Sequence, residues 1–160
     1  MKLSIVGEDF YQNGARTYTE STGFPEAGER LAGLLLNHRV VNGIFDDLNE
    51  DRDYDGGDRD DWVCGAFNPD GSLRPAFMQR LRRILHEAER LDMVPIVNYF
   101  YQGGNRRVRE EAIGTAIDNA THWLLEQGYD RLIIDLANEC NAPAYLPALQ
   151  LPNIHEMIYR

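Results

Sequence analysis

The residues of this 160-residue chain best suited to chemistry stand where its apolar runs stop. Asn138 and Glu139 close the run 132–137, Leu-Ile-Ile-Asp-Leu-Ala. Read as a strand, that run alternates. Leu132, Ile134 and Leu136 face one side, and Ile133, Asp135, Ala137 and then Glu139 face the other. A carboxylic acid at the mouth of a cavity, with an amide beside it to bond a sugar hydroxyl, can protonate a glycosidic oxygen. As ordinary loop chemistry the same pair makes a turn and caps the segment that follows. Asp135, inside the run, reads as the interior partner of an arginine rather than as a catalyst.

Two other apolar runs end in polar and aromatic residues. Residues 94–101 finish at Asn98, Tyr99 and Tyr101, and residues 40–45 finish at Asp46 and Asp47. Hydrogen-bonding groups beside aromatic faces suit a sugar ring, which shows hydroxyls at its edge and C–H groups on its face. The set would also serve other polar substrates. Asp46, Asp47, Asn98, Tyr99, Tyr101 and Asn138 are therefore the candidate substrate-binding residues, and Glu139 is the catalytic candidate. An inverting scheme would use Asp46 or Asp47 as base, about 6.5–9.5 Å from the acid.

The elements that must position these residues follow from hydrophobic period. Runs at 3–6 and 16–20 flank Asn13-Gly14, a hairpin signal, so residues 1–22 are expected to form an N-terminal β-hairpin. Leu31, Leu34, Leu35 and His38 fall at helical spacing within 26–38. Pro75 suits the first position of a helix whose stripe is Phe77, Leu81, Ile84, Leu85, Ala88 and Leu91. Ala112, Ile113, Ala116, Ile117, Ala120 and Leu124 mark another over 108–127, ended by Gly128. A last helix begins at Ile154. Pro95 belongs in the first residues of its strand or on an edge, because it cannot donate to a ladder. Strand and helix alternate, and the strands are nearly continuous apolar runs, as in parallel β/α units whose sheet is covered on both faces. Ligand sites in such folds lie beyond the carboxyl ends of the strands.

Composition narrows the partners. Sixteen Lys and Arg against 26 Asp and Glu give a net charge of −10, which supplies no electrostatic footprint for nucleic acid or an anionic membrane. No window approaches the ~18 apolar residues of a membrane span. The first residues lack the apolar core of a secretory signal, so the expected location is cytoplasmic. Two cysteines, Cys64 and Cys140, suggest neither a disulfide scaffold nor a zinc site. The acidic loop 48–71 contains Asp51, Asp53, Asp55 and Gly56 in the opening pattern of a calcium loop, but its twelfth position is Trp62 instead of a bidentate glutamate. Calcium there is the single cofactor the sequence brings into question. A metal-dependent enzyme is disfavoured because His38, His86, His122 and His155 all fall in predicted helices rather than at strand ends.

Asn138-Glu139 after an apolar strand resembles the acid/base motif on the fourth strand of retaining glycoside hydrolases with the (β/α)8-barrel fold, the clan of cellulases, mannanases and β-galactosidases. The segment Phe67-Asn68-Pro69-Asp70-Gly71-Ser72-Leu73-Arg74-Pro75, with residues 95–101 and 116–141, resembles the helix-2 to strand-4 portion of its cellulase-like members, and residues 33–39 and 43–49 resemble the first helix and strand. The resemblance implies hydrolysis of O-glycosidic bonds in a poly- or oligosaccharide, with Glu139 as acid/base. It also implies a second glutamate, the nucleophile, on a seventh strand that this chain does not contain; Glu156 cannot replace it by position. Such a group usually carries a helix and a strand where the acidic loop stands. A whole barrel needs about 250 residues. The expected fold is therefore α/β, a partial TIM barrel of parallel β/α units after an N-terminal hairpin, forming a single incomplete domain over 1–160. The alternative is a non-catalytic carbohydrate-binding half-barrel that needs a partner chain. An open half-sheet is expected to self-associate through its unpaired edge.

Overall fold

The computed structural model describes residues 2–19, 28–35, 66–100, 108–143 and 145–159. The predicted strand at 40–45, the aspartates Asp46, Asp47, Asp51, Asp53 and Asp55, Cys64 and Tyr101 lie outside them.

The chain opens with three short antiparallel strands, β1 (Leu3–Val6), β2 (Asp9–Gln12) and β3 (Ala15–Arg16). Their order is β1-β2-β3, and Leu3 faces Gln12 while Tyr11 faces Arg16. Asn13 and Gly14 both have positive φ, at 52° and 86°, which is the backbone of the tight turn that matches strand twist in a two-residue hairpin. The turn sits at the predicted Asn-Gly, but the strands it joins are β2 and β3, not the runs at 3–6 and 16–20. Gly7-Glu8 makes a second turn that pairs β1 with β2. A short helix α1 (Gly28–Leu31) follows, and Gly33 accepts from the Phe10 amide at 2.7 Å. The Thr17 hydroxyl bonds the Leu34 carbonyl at 2.6 Å.

Helix α2 (Pro75–Arg90) starts at a proline whose fixed φ suits the first turn. It buries Phe77, Met78, Leu81, Leu85 and Ala88 along one stripe. Asp92, with φ of 53°, turns the chain after it. Strand β4 (Ile96–Phe100), a 3₁₀ turn (Glu110–Ala112), helix α3 (Ile113–Glu126) and strand β5 (Ile133–Ala137) then form one strand-helix-strand unit. Strands β4 and β5 are parallel, with Asn98 beside Asp135 and Phe100 beside Ala137. The α3 residues Ile113, Ala116, Ile117, Ala120 and Leu124 are buried against this pair, and Gly128 at φ 81° closes the helix. Gly71 lets the turn before α2 touch the start of α3. A Cβ there would lie 2.8 Å from the Ala112 carbonyl oxygen and 2.8 Å from the Ala116 nitrogen. A 3₁₀ turn (Pro147–Leu149) and a short helix α4 (Ile154–Ile158) end the described chain. The two sheets meet through Asp92, which receives a hydrogen bond from Gln12 at 3.2 Å and pairs with Arg131.

This architecture corrects the expected fold. Among the described residues there are a three-stranded antiparallel sheet and a two-stranded parallel sheet, and a barrel-type series of β/α units is not formed. Hydrophobic period locates strands and helices one at a time, but it does not say which strands share a sheet. Here the first strands pair antiparallel through two-residue turns, as a hairpin does, and among the described residues a parallel crossover joins only β4 and β5. No helix among the described residues is long and apolar enough to cross a membrane.

Candidate functional site

The carboxyl ends of β4 and β5 are fastened together. The Asn138 amide donates to the Phe100 carbonyl at 3.2 Å, extending the ladder one residue beyond Ala137. The Tyr145 hydroxyl lies against the carbonyls of both Phe100, at 3.4 Å, and Asn138. Phe100 stacks on Phe67 with ring centroids 5.4 Å apart. Phe100, Ala137 and Tyr145 are all buried, so the floor under the strand ends is rigid and apolar.

Glu139 stands on this floor and is exposed. Its φ is 54°, a left-handed backbone that glycine or asparagine adopts more cheaply. The strand alternation therefore stops at Ala137. Glu139 lies in the turn 138–141, where its carbonyl accepts from the Ala142 amide at 2.8 Å. An exposed carboxyl group on a fixed backbone can exchange protons with a bound ligand.

Asn98 is 2% exposed, and its side-chain NH₂ donates to Asp135, at 2.8 Å to a carboxylate oxygen and 3.2 Å to the backbone oxygen. The predicted arginine partner of Asp135 is thus an asparagine amide from the neighbouring strand, while Arg131 pairs with Asp92 instead. With its nitrogen committed, the Asn98 amide turns its oxygen the other way, and among the described residues that buried oxygen meets no donor. The buried side-chain nitrogen of Asn138 also meets no acceptor among the described residues. Each such group costs about 1–3 kcal/mol when buried and unmet.

Tyr99 lies elsewhere. It alternates to the α3 face, where its hydroxyl meets Thr121 at 2.9 Å, and burial pushes its pKa up to about 12. Of the residues nominated from the sequence, Asn138 and Glu139 stand at the joined strand ends and Asn98 lies within β4, two residues from its end. Asp46, Asp47 and Tyr101 lie outside the described residues. The sequence offered no signal for Tyr145, whose hydroxyl reaches across 45 positions to Phe100. Its effect depends on a contact that neither spacing nor period encodes.

Among the described residues no group of three or more His, Cys, Asp or Glu is gathered to hold a metal ion. Compared with family models, with curated proteins and with solved structures, the chain finds no match.

Proposed function

We propose that the joined ends of β4 and β5 form a carbohydrate site, and that the chain is glycoside hydrolase-like, acting on O-glycosidic bonds with Glu139 as proton donor to the glycosidic oxygen. The observation that carries the reading is the exposed Glu139 on a backbone held by the Tyr145 hydroxyl, directly after an asparagine with an unspent donor. The resemblance of Asn138-Glu139 to the acid/base motif of cellulase-like retaining glycoside hydrolases supports the activity; it no longer carries the barrel. Asn138 positions the sugar, and Asp46 and Asp47 remain the candidates for further subsite contacts.

The second reading is a saccharide-binding protein without turnover. It is favoured by Asp135, the other carboxylate of β5, being committed to Asn98 rather than available beside Glu139. Retaining chemistry needs two carboxyl groups about 5–5.5 Å apart. A panel of aryl glycosides, assayed with the wild type and Glu139→Gln, separates the two. Turnover that falls by at least about 10²-fold in the variant, as for loss of a general acid, supports the hydrolase. Equal turnover in both proteins removes Glu139 from the mechanism. Saturable binding with no turnover in either supports the binding protein.

A further inference from the structure

We propose that Tyr145 is a positioning residue for the acid, on the hydrolase reading just given: its buried hydroxyl fixes the peptide unit from which Glu139 projects, and so sets where the carboxyl group delivers its proton. The unit joining Asn138 to Glu139 is planar, so its carbonyl at one end and its N–H at the other turn together. Two rotations orient it, ψ of Asn138 and φ of Glu139. The carbonyl end is bonded by the Tyr145 hydroxyl, and the other end carries the left-handed φ of 54°. A non-glycine residue keeps such a φ only where its surroundings hold it there.

Asn138 is tied on both sides of its Cα, by its amide to the Phe100 carbonyl at 3.2 Å and by its carbonyl to Tyr145. The far side of the turn returns to the same residue. The Glu139 carbonyl accepts from the Ala142 amide at 2.8 Å, and the Ala142 carbonyl accepts from the Tyr145 amide at 3.4 Å. Tyr145 is anchored in turn, since it is buried in the core that holds Phe100 and Leu149 and its carbonyl accepts from the Gln150 side chain. The exposed acid is thus held from the core through one hydroxyl. In the step concerned, the Glu139 carboxylic acid gives its proton to the glycosidic oxygen while the bond from that oxygen to the anomeric carbon breaks, and the bonding pair leaves with the oxygen as an alcohol or phenol. Water supplies the hydroxyl that ends on the anomeric carbon, and its other proton replaces the one given. Protonation counts most where the departing group is basic, so a displaced acid is felt in proportion to leaving-group basicity. A fold merely loosened slows every glycoside alike.

Tyr145→Phe removes the hydroxyl and keeps the ring. The measurement is kcat/KM of the full chain on aryl glycosides of one sugar, from dinitrophenyl, which departs with little help, to methylphenyl, which needs the proton. The variant should lose at least about tenfold more on the methylphenyl than on the dinitrophenyl glycoside, in the same direction as Glu139→Gln and by less. Hydrogen exchange at the Ala142 amide, whose bond closes the Glu139 turn, should quicken by at least about tenfold while the α3 amides exchange as in the wild type. Equal loss across the series, or unchanged exchange at Ala142, overturns the positioning role and leaves Glu139 as the acid. No turnover of any glycoside by the wild type overturns the hydrolase reading and this role with it.

Discussion

In the N-terminal sheet Ile5 is 65% exposed, while in the parallel pair Val97, Tyr99 and Phe100 are wholly buried. Both regions are built of strands five residues long or shorter. The first takes its register from its turns and backbone bonds. The second takes it from apolar side chains pressed between the pair and helices α2 and α3. A sheet held mainly by turns should tolerate side-chain changes and resist backbone ones little; a sheet held by burial should do the reverse at its side chains and be severe wherever two backbones touch.

Three experiments would sharpen or break that contrast. The largest effect is expected from Leu81→Ala, which empties a site 1% exposed and should cost about 2–5 kcal/mol by urea denaturation. Ile5→Ala on the N-terminal sheet should stay within about 0.5 kcal/mol. Equal costs would mean that the two regions share one core. Next, Gly71→Ala and Gly14→Ala impose a similar backbone strain, at φ 81° and 86°, but only Gly71 has backbone atoms 2.8 Å from the added carbon. Gly14→Ala should cost about 1 kcal/mol and Gly71→Ala up to about 3, again read from denaturation midpoints. If both cost the same, the contact between the turn before α2 and the start of α3 yields at no expense.

The smallest effect concerns the join between the regions. The hydrogen bond from Arg131 holds the Asp92 carboxyl below its ordinary pKa, opposed by partial burial and helped by Gln12. A depressed folded pKa means that stability is fully present above the ordinary carboxylate value and lost as pH falls through the lower folded one. Because Asp92 is largely exposed, 75% at its side chain, the loss should be no more than about 1 kcal/mol. Denaturation midpoints taken from about pH 5 down to about pH 2 should show it, and Asp92→Asn should remove that part of the slope. An unchanged slope would leave the two sheets joined by something other than this aspartate.

What could be read from the sequence was local. Pro75 with the stripe Phe77, Leu81, Leu85 and Ala88 marks α2, and Ala116, Ile117, Ala120 and Leu124 mark α3, because a helix writes its buried face at a spacing of three and four. Asn13-Gly14 marks a turn. It does not say that Asp9–Gln12 is the strand before it, since that segment mixes acidic, aromatic and amide residues with no clean alternation. The expectation of a barrel failed at the same level, as the pairing of distant strands is settled by turns and contacts beyond any window. At the candidate site Asn138 and Glu139 were visible as polar residues ending an apolar run. The Asn98 bond to Asp135 and the Tyr145 clasp were not, because each joins residues far apart in sequence.

The left-handed backbone of Glu139 places a side chain where the turn itself would favour none. For the turn alone, glycine would serve better, since it reaches the same φ without the roughly 1–2 kcal/mol that a Cβ costs there. The carboxyl group at the end of β5 therefore stands on a backbone that costs the fold something. Glu139→Gly would relieve that cost and remove the contact the Glu139 side chain makes, so the change in melting temperature measures the balance between them.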